Sequence, residues 1–238
     1  MVGNIASVAG LLKKGLEDQG QKCILVAGSH KYIEGNPDYS IKYRYMFRKK
    51  FGKNDFDIVH LHSPNLKILL MALRYINFKH LVCHWHGSDL RIRHKSIIAE
   101  QLLKKFAGYH LYSTIDLAWW LRKIPKDKKE LFICPVDTNL FKPMNIKHHG
   151  TGIFDNEHKM NIKHTDMPTI INSYDDVIVY PNMGLSAYLV SVTALECASC
   201  GKRVFHHPYM TRDWVIENAS IESQTKKLID IYNKLLKN

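Results

Sequence analysis

Two short stretches of this chain end in imidazoles: Asp57-Ile-Val-His60-Leu-His62-Ser-Pro and His84-Trp85-His86-Gly87-Ser88-Asp89-Leu90-Arg91. Both read as buried strands running into polar loops. In an open α/β sheet, ligands bind beyond the carboxyl ends of the strands. Imidazole, carboxylate and guanidinium gathered there can move a proton and clamp an anion. The same residues also fit a plainer role, with His60 and His84 as hydrogen-bonded core histidines and Gly87 to Asp89 as a turn and helix cap.

Metal ligation is the next chemistry to weigh. His60 with His62, and His84 with His86, form two i,i+2 pairs, and Cys197-Ala-Ser-Cys200 precedes His206-His207. Zinc asks for four ligands converging from loops or turns. The cysteines sit instead in an apolar helical run, so the expectation is no metal site and no cofactor. Glu196 stands alone in the otherwise apolar segment Leu189 to Ala198. A carboxylate there has to be paired, hydrogen-bonded or turned to a ligand, because burying it unpaired is costly. A third cluster, Tyr43-Arg44-Tyr45-Met46-Phe47-Arg48-Lys49-Lys50-Phe51-Gly52-Lys53, alternates bases with aromatics. It suits phosphate contact with ring stacking, an interfacial segment, or a solvated surface with one half-buried side.

The elements that must hold these residues alternate. Ile5, Val8, Leu11, Leu12 and Leu16 recur at helical spacing up to Gly20. Strands are expected at 22–27, 57–62, 80–85, 109–113 and 131–134, with helices near 65–76, 96–107 and 116–123. That order argues for βαβ units and a parallel, doubly wound sheet. Residues 144–167 lack periodicity and read as a linker. Alternation then resumes with strand 176–180, helix 187–200 closed by Gly201, strand 203–205 and an amphipathic helix 221–236. The expected domains are therefore 1–143, a linker over 144–167, and 168–238.

Composition bounds the function. With 238 residues, 45% hydrophobic and 24% charged, the chain is an ordinary globular one of about one and a half domains. Its net charge of +12 belongs to residues 1–142, where bases outnumber acids 24 to 12, whereas 143–238 balances at ten of each. Such a field attracts phosphorylated substrates, anionic lipid headgroups or polyanions. Five scattered cysteines suit free thiols in a reducing compartment. No signal peptide and no bilayer-length apolar run is evident, so the expected location is cytoplasmic with optional peripheral membrane contact. The absence of a P-loop and of a Gly-x-Gly-x-x-Gly after a strand weighs against kinase, ATPase and dehydrogenase chemistry.

Four motifs occur in a telling order: His86-Gly-Ser-Asp-Leu-Arg91, Cys134-Pro-Val-Asp137-Thr-Asn-Leu-Phe141-Lys-Pro143, Asp175-Asp-Val-Ile-Val-Tyr-Pro181, and Ala194-Leu-Glu196-Cys-Ala-Ser-Cys-Gly201. In this order the chain resembles the retaining glycosyltransferases of family 4. The resemblance implies a GT-B fold, with a Rossmann-like N-terminal acceptor domain carrying a parallel sheet and a shortened second Rossmann-like domain for a nucleotide-sugar. It implies transfer of a sugar, of the hexosyltransferase type, and the basic charge of the first domain adds the expectation of an acceptor that is anionic, phosphorylated or lipid-linked. Nucleic acid is the disfavoured partner. By the same resemblance His86 is the loop histidine near the reacting sugar, with Asp89 beside it, and Glu196 holds the donor ribose. Gly184 and Leu185 offer backbone N–H groups to the diphosphate. Gly3 and Asn4 match the glycine-rich loop, and Arg91 and Arg93 are anion contacts. The pattern departs at Tyr188, where the motif's first glutamate would stand. The alternative implied is a degenerate homologue that binds without catalysing and serves as a partner subunit.

Overall fold

The computed structural model describes residues 8–27, 38–40, 50–52, 55–62, 78–87, 97–154, 164–179, 191–204, 207 and 209–237. The expected helix near 65–76 and most of the 43–53 tract lie outside them. The chain divides into two compact units, 1–132 with 225–238, and 133–224.

The first unit opens with helix α1 (Val8–Asp18), which buries Val8, Leu12 and Leu16 along one side. Gly20 ends it in the left-handed region at φ 77°. The Gln21 amide there donates back to the Leu16 carbonyl at 2.9 Å, satisfying an end-of-helix acceptor. Strands β1 (Val26–Ala27) and β2 (Tyr39–Ser40) pair in parallel. A four-stranded parallel sheet comes next, in the order β3 (Val59–His62), β4 (Leu81–Trp85), β5 (Tyr109–Tyr112), β6 (Lys129–Leu131).

Strand periodicity sorts this sheet into two unlike faces. Val59, Leu61, Leu81, Cys83 and Trp85 turn to one side and share an apolar core with Leu103 and Ala107 from helix α2 (Ile97–Phe106) and its C-terminal end, and with Leu117 from helix α3 (Leu117–Trp120). On this side the Trp85 indole donates to His110 Nδ1 at 3.2 Å. The other side carries His60, His62 and His84, in register as His60 opposite Val82 and His62 opposite His84. The C-terminal helix α7 (Ile221–Leu236) supplies Tyr232 to that face. Strands buried on both faces normally read as unbroken apolar runs. Here one face sets three imidazoles among Val82 and Leu111.

The second unit has a three-stranded parallel sheet, β7 (Thr151–Phe154), β8 (Asp176–Val179), β9 (Arg203–Val204). Helices α4 (Met167–Asn172), α5 (Val192–Ser199) and α6 (Arg212–Ala219) belong to it. Ser191 and Thr211 cap α5 and α6 by accepting from the Ala194 and Trp214 amides at 3.0 and 3.2 Å. The expected linker over 144–167 thus meets a strand, β7, whose four residues pair along β8. Thr-Gly-Ile-Phe is short and has one exposed side, with Ile153 63% accessible, so it carries little periodic signal.

The Val-Asp-x-x-x-Phe-x-Pro segment, expected at the end of the first domain, builds the second unit. Asp137 Oδ1 accepts from the Asn139 and Leu140 amides, both at 3.1 Å, which turns the chain so that Phe141 enters the core with Leu195, Ala198 and Val215. Asn172 holds the backbone just beyond Phe141, donating to the Lys142 carbonyl at 2.9 Å and accepting from the Met144 amide at 2.9 Å. The terminal helix, expected with the second domain, falls from Thr225 onward in the first. Its apolar residues Leu228, Ile231 and Leu235 are buried there.

Candidate functional site

The carboxyl ends of β3, β4 and β5 place three polar side chains together in the first unit. His86 follows β4, His62 closes β3, and Ser113 follows β5. Parallel pairing sets this level, because His62 is opposite His84 and the Ser113 amide bonds the Trp85 carbonyl at 3.0 Å. Gly87, buried and at φ 119°, then turns the chain where a side chain would be strained. His86 is held from both nitrogens, with Nε2 3.0 Å from His62 Nδ1 and Nδ1 3.3 Å from Ser113 Oγ. Ser113 Oγ is also 2.9 Å from His84 Nε2.

Beneath His86 the imidazoles continue inward as a stack. Ring centroids are 4.1 Å apart for His84–His86, 5.2 Å for His62–His86 and 4.4 Å for His60–His62. At the bottom, His60 Nδ1 meets the Tyr232 hydroxyl at 2.8 Å. His60, His62 and His84 are 1%, 1% and 0% exposed. Burial, reinforced by neighbouring imidazoles, pushes all three well below the usual histidine range. They are therefore neutral rings at physiological pH, and His86 rests on an uncharged, hydrogen-bonded support.

In the second unit Glu196 lies on α5 and is 6% exposed. Its Oε1 pairs with His164 Nε2 at 2.8 Å, and the His164 ring packs 5.0 Å from Phe141. The lone carboxylate thus has the partner that its burial demands. His164 comes from the stretch read as linker, so no sequence pattern pointed to it. Beside it Arg212 donates to the Phe141 carbonyl at 3.0 Å, to the Thr138 carbonyl at 3.3 Å and to the Ser199 carbonyl. Cys197 and Cys200 are buried free thiols, and burial pushes the Cys200 thiol up to about 11. Neither suits a thiolate ligand.

Of the residues singled out from sequence, His86 is in the first unit and Glu196 in the second. Asp89, Arg91, Arg93, Gly3, Asn4, Gly184 and Leu185 lie outside the described residues. Ser113, Tyr232 and His164 had given no signal of their own. Among the described residues, no helix is long and apolar enough to cross a membrane.

The backbone is similar to that of a glycosyltransferase from Rickettsia africae ESF-5, with a TM-score of 0.57 at 13% identity, covering 100% of this chain and 98% of that one. The fold is the GT-B-like one of glycosyltransferases. The Anabaena protein Alr3699/HepE, solved in complex with UDP, aligns at a TM-score of 0.48 and 10% identity over 99% of this chain and 96% of its own. No family model and no curated protein matches the sequence. The GT-B-like chain has two α/β units with parallel sheets, as the alternating pattern implied, and it carries its described polar clusters at strand ends and on α5.

Proposed function

We propose that this chain is a glycosyltransferase of the retaining, family 4 kind, which moves a sugar from a nucleotide-sugar to an anionic or lipid-linked acceptor. The observation that carries the reading is His86, fixed from both ring nitrogens at the carboxyl ends of parallel strands in a GT-B-like fold. Ligands gather at that level of such sheets. A histidine whose orientation is set by its neighbours needs no reorganisation as charge develops on a sugar, the condition under which polar groups lower a barrier most. His86 contacts the transferred sugar, His62 and Ser113 orient it, and Glu196, braced by His164, holds the donor ribose. The basic excess of residues 1–142 draws the acceptor.

Thermal stabilisation by a panel of nucleotides and nucleotide-sugars tests this reading. One nucleotide should raise the melting temperature by several degrees, through preferential binding to the folded state. Glu196→Gln should abolish that shift. His86→Asn should keep the shift and lose turnover by roughly two orders of magnitude or more. Absence of any shift at millimolar ligand sinks the proposal. A shift without turnover in the unaltered chain identifies a binding subunit instead.

A further inference from the structure

His60, His62 and His84 each use one ring nitrogen, and the other has no partner among the described residues. The used atoms are His60 Nδ1 toward Tyr232, His62 Nδ1 toward His86 and His84 Nε2 toward Ser113, at 2.8, 3.0 and 2.9 Å. The bare atoms are His60 Nε2, His62 Nε2 and His84 Nδ1, all buried and without a hydrogen-bond partner among the described residues. Three stranded nitrogens in one place is unusual, because buried polar atoms are nearly always satisfied. These three residues can also present donor atoms that lie within 4.8 Å of one another.

Metal binding here would take the following protonation pattern, which satisfies every contact. His60 and His62 carry their protons on Nδ1 and donate to the Tyr232 oxygen and to His86 Nε2. His84 carries its proton on Nε2, His86 carries its own on Nδ1, and both donate to Ser113 Oγ, whose two lone pairs can accept both. All three bare nitrogens are then lone pairs. Each ring would then have its N–H anchored by an oxygen or nitrogen acceptor and its opposite nitrogen left to take a metal, the pairing that orients metal-bound histidines.

We propose that His60, His62 and His84 bind a divalent transition-metal ion of the imidazole-preferring class, represented by Zn²⁺. Three neutral nitrogens with no carboxylate in the group suit zinc, cobalt, nickel or copper and disfavour calcium and magnesium. A three-histidine zinc site leaves its fourth position to water or another donor. With Zn–N near 2.0 Å the donors must close to about 3.3 Å apart, as along the edge of a tetrahedron. Small concerted shifts of the three side chains, followed by the groups that hold their N–H atoms, would supply that movement. With its proton on Nδ1, His62 donates to His86, so the ion would also fix the tautomer of the ring that orients the loop histidine. The site stands independently of the glycosyltransferase reading, as it draws on no sugar or nucleotide contact. It departs from the sequence expectation of no metal site.

The test uses the full chain without an affinity histidine tag, stripped with a chelator and titrated with Zn²⁺ and Co²⁺. The expected result is one tight equivalent per chain, a raised melting temperature, and the visible absorption of nitrogen-ligated, four-coordinate Co²⁺. His84→Gln should remove all three, whereas His148→Gln, at an exposed histidine of the second unit, should leave them intact. Imidazole ¹⁵N spectra of the unaltered protein settle the matter if His84→Gln fails to fold. Zn²⁺ should then shift His60 Nε2, His62 Nε2 and His84 Nδ1. Failure of the unaltered chain to bind a stoichiometric equivalent, retention of the Co²⁺ signal in folded His84→Gln, or unshifted resonances would each overturn the proposal.

Discussion

His110 makes the stability of the first unit depend on pH in a way that one substitution can isolate. Its ring lies on the apolar face of the sheet, accepts from the Trp85 indole, and is held down to about 3, first by burial and then by Lys104, Lys128 and Lys129. The unfolded chain binds a proton near 6.5 and the native chain does not. Protons therefore favour the unfolded state as pH falls below 6.5, and the stability present above that value is progressively lost. Each pH unit in this window costs about 1.4 kcal/mol for one such group. Between pH 7 and pH 5 the linkage amounts to about 2 kcal/mol, because the unfolded histidine is only partly protonated over the first half unit. His110→Asn keeps an acceptor near the Nδ1 position for Trp85 but cannot titrate. Its loss of packing lowers stability equally at both pH values. Urea unfolding of both proteins at pH 7 and pH 5, on metal-free samples, should show the parent losing about 2 kcal/mol more than the variant over that interval. Equal losses in the two proteins would refute the reasoning, since they would mean that His110 titrates alike in the native and unfolded chains.

Packing and hydrogen bonding set three further outcomes. A Cβ at Gly108 would stand 1.9 Å from the Lys79 backbone carbonyl oxygen, so Gly108→Ala has to displace the start of β4. It should destabilise by about 3 kcal/mol in denaturant melts, the upper range for overpacking. Arg212→Met removes the shared donor to the Phe141, Thr138 and Ser199 carbonyls and should cost about 3 kcal/mol by the same measurement, with Arg212→Lys recovering only part. Arg203→Ala, by contrast, breaks an exposed pair with Asp176 and should cost under about 1 kcal/mol, a difference that shrinks further in high salt. A loss as large as that of Arg212→Met would contradict the exposure of the Arg203 side chain.

The sequence alone determined the fold class and most of the element order. Parallel strands buried in a sheet must be short apolar runs separated by amphipathic helices, and that pattern survives in one dimension at 57–62, 80–85, 109–113 and 221–236. It also marked His86 and Glu196, the one by its place at a strand end and the other as a charge in an apolar helix. Periodicity did not reach β7, which is four residues long with an exposed side, nor the unit to which an element belongs. Phe141 packs with α5 and α6 and α7 returns to the first sheet, and both are contacts over long sequence separation. The partners were equally out of reach. His164 meets Glu196 across 32 residues and Tyr232 meets His60 across 172. The sequence showed two pairs of histidines spaced by two, which a strand turns to the same side. Only the register of β3 on β4 put His62 beside His84, and only the packing of Tyr232 from α7 against His60 completed a buried group in which three ring nitrogens have no partner among the described residues.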